Sequence, residues 1–242
     1  MRVALLAAAV IAMTAAAPAL AQVAVEIVAL PAPAGLARLL RPAGVTPPPL
    51  VILLPEGAGD DGRDEAYADA LLARGIATLT LGLGEGDEVS GTGLDAGTRP
   101  GAAAAAPGWA DRAGFDRAAI GLVGFGLGGR RALAEAAGRP VVALYPRCHD
   151  LPWPATGLVL ILQGALDAAG CGALAERPGI SLRLLPDAGH GWDVPAGSRP
   201  GAPALLPDPA GGERLPAVHD PEATGMAAAL LADWLSLRLR AP

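Results

Sequence analysis

Short apolar runs alternate with amphipathic segments along most of the chain. The runs predict strands at 50–54, 76–81, 119–123, 141–145, 158–162 and 180–185. Apolar residues at helical spacing predict helices at 64–74, 130–137 and 221–240. Continuous apolar strands that alternate with helices are typical of a parallel sheet covered on both faces. The pattern therefore predicts an α/β fold, with a mostly parallel central sheet and helices on both of its faces.

Two stretches show neither pattern. Residues 82–107 and 195–216 are rich in glycine, proline and alanine, and we predict that they are loops, either lids or irregular surface. No repeat is evident, and no linker with a shift in composition divides the chain. We therefore expect residues 22–242 to form a single domain.

The N-terminus has the features of an export signal. One arginine precedes an apolar run that ends at Pro18, and Ala19-Leu20-Ala21 has the small residues of a cleavage site. We expect residues 1–21 to be a signal peptide and the mature chain to begin at Gln22, in the periplasm or outside the cell. The run is short and rich in alanine, which disfavours a retained anchor, and we expect no membrane association after cleavage.

The composition excludes several kinds of chemistry. The net charge is −6, with 18 basic and 24 acidic residues, which disfavours binding to nucleic acid. All the basic residues are arginines, so a P-loop lysine, a Schiff-base lysine and a Ser-Lys dyad are excluded. The chain also has no asparagine, which excludes a Cys-His-Asn triad.

A glycine-rich turn follows the predicted strand at 119–123 and precedes a predicted helix. Gly124, Gly126 and Gly129 fit the dinucleotide fingerprint G-x-G-x-x-G, with Asp150 as a loose candidate for the ribose-binding acid. At least two strands precede this turn, however, whereas the fingerprint normally lies in the first strand–helix unit. The same turn fits the nucleophile elbow G-x-S-x-G, with Gly124 and Gly128 as its flanks and Gly126 at the nucleophile position.

Two downstream motifs favour the elbow. Asp167 ends a turn after the strand at 158–162, and His190 follows the strand at 180–185. An acid and then a histidine, each just beyond a strand, match the order nucleophile, acid, base that accompanies an elbow. We therefore interpret the two residues as the rest of a triad whose nucleophile position holds a glycine.

With these motifs in place, residues 48–195 resemble the dienelactone hydrolases of the α/β-hydrolase superfamily. The resemblance rests on GLVGFGLGG, ALYPRC, ILQGALD and LPDAGHGWD, and on the segment that begins at VILLPEGAG. It implies an α/β-hydrolase fold and an ester- or lactone-hydrolysing lineage. It also implies that Gly126 stands where the Ser or Cys nucleophile belongs, that Asp167 is the acid and that His190 is the base.

The resemblance also implies an oxyanion hole. Its backbone N–H donors would come from Leu127 and from the neighbourhood of Glu56 or Gly57. Glu56 matches a glutamate that lies beside the nucleophile in many members of the family. Pro55 departs from the family pattern, which usually has His or Gln there, and the segment after Asp167 is shorter than in relatives.

The chain has two cysteines, Cys148 and Cys171. An even number in an exported protein suggests one disulfide, and exported relatives carry a similar pair. Cys148 and the adjacent His149 lack further ligands at zinc-like spacing, so we expect no metal site.

Three functions remain open. The first is a pseudoenzyme that binds a small ester or carbonyl ligand in the former active site, without a cofactor. The second is an active ester hydrolase that uses water activated by His190 with Asp167, or by Glu56. The third is a dinucleotide-binding protein. A triad without its nucleophile cannot form an acyl-enzyme, so whether the protein is an enzyme is left open by the sequence.

Overall fold

The computed structural model describes residues 23–44, 46–56, 61–82, 99–151, 157–167, 170–174, 176–196 and 203–239. The signal peptide predicted at 1–21 and the oxyanion candidate Gly57 lie outside these ranges. The strands and helices that they contain are β1 (Ala24–Ala29), β2 (Leu36–Arg41), β3 (Leu50–Leu54), α1 (Glu65–Leu72), β4 (Ala77–Leu81), α2 (Ala102–Arg112), β5 (Ile120–Phe125), α3 (Leu127–Ala134), β6 (Val141–Leu144), β7 (Val159–Gly164), β8 (Ile180–Leu185), β9 (Ala204–Leu206), β10 (Leu215–Ala217) and α4 (Pro221–Ser236).

Eight strands form one sheet in the order β1-β2-β4-β3-β5-β6-β7-β8. Strands β3 to β8 are parallel, and β2 runs antiparallel to both of its neighbours. The mostly parallel sheet predicted from the sequence is therefore confirmed. Since parallel strands end at the same edge, the segments that follow β3, β5, β6, β7 and β8 meet along one side of the molecule.

Both faces of the sheet are covered, because successive side chains of each strand point to opposite faces. Leu50, Ile52 and Leu54 belong to a core that includes the alanines of α2 and the inner face of α3. Val51 and Leu53 belong to a second core, formed with α1 and α4. Among the described helices, none combines the length and the apolar character needed to cross a membrane.

Two predicted loops contain regular structure, and two strands were not predicted. Helix α2 begins inside the loop predicted at 82–107. Its buried face is almost all alanine and it contains Pro107, so it lacks the periodic contrast that identifies a helix. The loop predicted at 195–216 contains β9 and most of β10, which pair as a small antiparallel sheet. Strands β1 and β2 were not predicted, because they lie at the exposed edge, where β1 buries little of its surface.

The contact between β3 and the start of α3 gives the first testable prediction. A Cβ on Gly128 would lie 2.3 Å from the carbonyl oxygen of Pro55, and a Cβ on Gly124 would lie 2.2 Å from that of Gly128. Because backbone atoms cannot move aside without moving the elements, Gly128→Ala should lower the free energy of unfolding by about 3 kcal/mol. Urea titration measures this loss.

Gly225 in α4 is the matched control, since a Cβ there would meet nothing within 4 Å. Gly225→Ala should stabilise the protein by about 0.5–1 kcal/mol through helix propensity. Equal effects of the two substitutions would show that the close contact is not required.

Candidate active site

A single residue separates strand β5 from helix α3. This residue, Gly126, has φ 49° and ψ −110°, a conformation that strongly favours glycine. Its N–H donates to the carbonyl oxygen of Leu144 at the end of β6, and its own carbonyl accepts from Arg130 N. A sharp turn from a strand into a helix, with positive φ at the tip, is the backbone geometry of a nucleophile elbow.

The flanking glycines allow this turn by letting the main chains approach one another. Gly124 packs against Gly128, and Gly128 packs against the carbonyl groups of Leu54 and Pro55 at the end of β3. Close packing of the main chains therefore explains the glycine spacing at the elbow. The same packing brings Glu56, the residue after Pro55, next to Gly126.

The predicted acid and base lie together. Asp167 follows β7, His190 follows β8, and His190 Nδ1 is 3.0 Å from Asp167 Oδ2. The two side chains are only 5% and 4% exposed. With Nδ1–H donating to the carboxylate, Nε2 is left as an acceptor. It is buried and has no hydrogen-bond partner among the described residues.

Asp167 is held by three side chains. Besides His190, it accepts a hydrogen bond from Gln163 Nε2 at 2.6 Å and one from Arg147 Nη1 at 3.3 Å. Burial alone would raise the pKa of Asp167. The hydrogen bond and charge of His190, the hydrogen bond from Gln163 and the charge of Arg147 outweigh it and lower the pKa below its ordinary value. The acid is therefore held as a carboxylate that orients the imidazole.

The predicted disulfide between Cys148 and Cys171 is present and joins the segments that follow β6 and β7. Cys148 is adjacent to Arg147, and Cys171 Sγ lies 3.6 Å from Gln163 Oε1. Both ends of the disulfide therefore lie beside groups that bind Asp167. Within the described ranges, no three His, Cys, Asp or Glu side chains are grouped in a way that could hold a metal ion.

A second buried acid, Asp193, supports the turn that carries His190, here called the histidine turn. The sequence analysis missed this residue. Asp193 accepts hydrogen bonds from Tyr145 at 2.6 Å and from Tyr67 at 2.7 Å, and Arg63 Nη1 lies 3.9 Å away. Burial raises the pKa of Asp193, although Arg63 and both tyrosines act in the opposite direction. The Tyr145 ring packs edge-on against His190, with 5.0 Å between the ring centroids. The aspartate in GHGWD was a signal for this network, but its partners are distant in sequence.

The Glu56 side chain lies against the tip of the elbow and is fully buried. A Cβ on Gly126 would be 2.9 Å from Glu56 Cγ and 3.2 Å from Glu56 Oε1. The carboxyl group therefore lies next to the place where the side chain of a nucleophile would project. Of the two predicted oxyanion donors with described positions, Glu56 follows β3 and Leu127 is the first residue of α3.

The segment between β9 and β10 covers the elbow. Pro209 Cγ would lie 3.3 Å from a Cβ on Gly126. The neighbouring Asp208 forms an ion pair with Arg147, at 3.4 Å, and Arg147 also binds Asp167. The sequence analysis left open whether residues 195–216 form a lid or irregular surface, and the contact of Pro209 with the elbow favours the lid.

Solved structures that resemble this one include dienelactone hydrolases and esterases. A dienelactone hydrolase from Anabaena variabilis has a TM-score of 0.64 and 21% identity, covering 91% of this chain and 99% of its own. The chain has the α/β-hydrolase fold. The esterase domain of a Rhodothermus marinus protein gives a TM-score of 0.58 at 15% identity, covering 90% of this chain and 100% of its own. Carboxyl esterase 2 from the mycorrhizal fungus Tuber melanosporum gives a TM-score of 0.63 at 12% identity, covering 92% of this chain and 90% of its own.

The predicted resemblance to dienelactone hydrolases is confirmed by these structures, and at such identities it concerns the fold. Neither the protein-family models nor the curated proteins compared with this sequence match it. The chemistry of the site therefore has to be argued from its own residues.

The lowered pKa of Asp167 predicts how stability depends on pH. The folded state holds this proton less tightly than the unfolded chain, where the pKa is about 3.9. The stabilisation is therefore fully present above that value and is lost as the pH falls through the lower folded pKa. We expect the difference in unfolding free energy between wild type and Asp167→Asn to shrink as the pH falls from about 5 towards 2.5.

Urea titrations across that range measure the difference. Asp111→Asn, at an exposed position on α2, is the control and should stay within about 0.5 kcal/mol of wild type. A difference for Asp167→Asn that does not change with pH would contradict the assignment.

The disulfide gives a separate prediction. Its cysteines are 23 residues apart, and closing a loop of that length stabilises a protein by about 3 kcal/mol in the chain-entropy model. The double variant Cys148→Ala/Cys171→Ala should lose this amount in urea unfolding. A reductant should destabilise wild type equally and leave the double variant unchanged. Two thiols labelled in the native, unreduced protein would contradict the prediction.

Proposed function

We propose that this protein derives from ester hydrolases of the dienelactone hydrolase type and binds a small ester or carbonyl ligand without forming an acyl-enzyme. The observation that carries this proposal is the combination found at the elbow. The structure has the sharp turn with positive φ and the His190–Asp167 pair, while the tip, Gly126, offers no nucleophilic atom. Replacing the nucleophile of a serine hydrolase costs about 10⁶ in kcat, although binding and the oxyanion hole can leave about 10³ over water.

We also propose that the protein works outside the cytoplasm. The sequence of residues 1–21 has the pattern of a secretory signal. The Cys148–Cys171 disulfide is consistent with that location, because such bonds persist mainly in oxidising compartments.

A second candidate is a hydrolase that uses activated water. It is supported by His190 Nε2, a buried acceptor with no partner among the described residues, and by the Glu56 carboxyl group beside the tip. Either group could take a proton from a water molecule that attacks an ester. This candidate predicts slow ester hydrolysis by the wild-type protein that depends on one of the two.

The dinucleotide hypothesis has less support. The spaces beside Gly124 and Gly129 are occupied by main-chain atoms, and the space beside Gly126 is next to a carboxyl group. A pyrophosphate needs backbone N–H groups that are open to it, and a neighbouring carboxylate would repel it.

Restoring the nucleophile tests the first proposal, but the structure requires a second change. A serine Cβ at position 126 would crowd Glu56 Cγ, at 2.9 Å, so the single variant Gly126→Ser must displace the glutamate. We expect Gly126→Ser/Glu56→Ala to hydrolyse p-nitrophenyl acetate at least about 100-fold faster than wild type, part of the roughly 10⁶ that a nucleophile contributes. It should also lose about 1–3 kcal/mol of stability through backbone strain.

Two controls accompany this experiment. Glu56→Ala alone separates the effect of the serine from that of the lost carboxyl group. Adding His190→Ala to the double variant should abolish the gain, because serine needs its base. If the folded double variant is no faster than wild type, the site has decayed beyond one residue. If wild type already hydrolyses the ester and loses the activity on His190→Ala, the water-activating hydrolase replaces the first proposal.

A further inference from the structure

Position 126 is glycine, so no elbow nucleophile is present. A mechanism based on such a nucleophile therefore gives the Glu56 carboxyl group no chemical role. Glu56 Oε1 lies 3.2 Å from the place that a Cβ of residue 126 would occupy, and Glu56 Cγ lies closer still, at 2.9 Å. Any side chain at position 126 would press on this glutamate. The glycine therefore both removes the nucleophile and leaves the carboxyl group beside the tip.

The residue that follows the tip still offers an oxyanion donor. Leu127 is the first residue of α3, and the bond from Arg130 N to Gly126 O closes the first turn of the helix. The N–H of Leu127 therefore has no acceptor within the helix, and the partial positive charge of the helix start favours a negative oxygen there. Since this donor is a backbone group, loss of the nucleophile does not remove it.

We propose that Glu56 is a general base that removes a proton from the carbon next to the carbonyl group of the bound ligand. This inference rests on the proposed function, because it takes that ligand to be a small ketone or ester. The C–H bond breaks and its proton passes to Glu56 Oε1. The electron pair forms a carbon–carbon double bond, and the carbonyl oxygen becomes an enolate oxygen that the Leu127 N–H stabilises.

The reverse step completes the reaction without a co-reactant. Glu56 returns a proton to the same carbon, which gives hydrogen exchange with solvent, or to another carbon of a conjugated enolate, which gives an isomer. Both outcomes leave atoms and electrons balanced, since nothing is oxidised and no group leaves.

Proton removal suits this carboxylate better than nucleophilic attack does. Attack on an ester carbonyl would form an anhydride and expel an alkoxide, which is a far poorer leaving group than the carboxylate, so the adduct would revert. Removal of a proton needs only a base next to the carbon and a donor for the oxygen. The carboxyl group lies beside Gly126, and the Leu127 donor belongs to the next residue.

Hydrogen–deuterium exchange tests the proposal directly. The probe is 2-butanone in D₂O, a ketone that cannot be hydrolysed, with loss of its α-proton signals followed by ¹H NMR. Saturation-transfer difference spectra of the same samples measure binding. We expect wild type to accelerate exchange and Glu56→Gln to lower the rate by at least about 100-fold, the lower end of what a general base contributes.

Two further variants make the result specific. Glu56→Asp should keep part of the exchange activity, because it retains a carboxylate. Glu222→Gln, at an exposed position at the start of α4, should match wild type. Binding of 2-butanone without exchange would overturn the assignment of a base and leave the proposed ligand class standing, whereas absence of both would count against both. Exchange that survives Glu56→Gln and disappears in His190→Gln would overturn the proposal by identifying His190 as the base.

Discussion

The close contact between the end of β3 and the start of α3 is the constraint on which the site depends. Gly128 packs on the carbonyl groups of Leu54 and Pro55, and Gly124 packs on Gly128. Neither contact leaves space for a Cβ. The close packing allows β5 to pass into α3 through one residue, Gly126, which has a positive φ. It also puts Glu56, the next residue but one after β3, against the tip of the turn.

Two buried acids hold the histidine turn, and they do so differently. Asp167 binds His190 directly through Nδ1, and its pKa is lowered by the groups around it. Asp193 lies three residues beyond the histidine and is fixed by two tyrosine hydroxyl groups, with its pKa raised chiefly by burial. One of these tyrosines, Tyr145, also packs against the imidazole ring. The imidazole is thus oriented by a charged hydrogen bond on one side and by aromatic packing on another.

The glycine at position 126 has to be considered together with its surroundings. The Cβ of a serine or cysteine at position 126 would lie 2.9 Å from Glu56 Cγ, so the glutamate side chain would have to shift to admit it. Glycine also removes the cost of holding a side chain at positive φ, about 1–3 kcal/mol for a non-glycine residue. Glycine at this position therefore favours stability, and the Glu56 carboxyl group lies beside the tip of the turn.

The sequence by itself determined the parallel sheet, because most of the strands β3 to β8 contain short apolar runs, and amphipathic or glycine-rich segments separate them. It also determined the acid and base candidates, because Asp167 and His190 each follow a strand in a fixed chain order. It could not determine α2, whose alanine face has no periodic contrast, or β1 and β2, which depend on pairing at an exposed edge. Tertiary structure alone decided that Arg147 links Asp167 to Asp208, that Asp193 supports the histidine turn, and that Glu56 occupies the space beside Gly126. These contacts join segments far apart in the chain, and local patterning carries no information about distances between such segments.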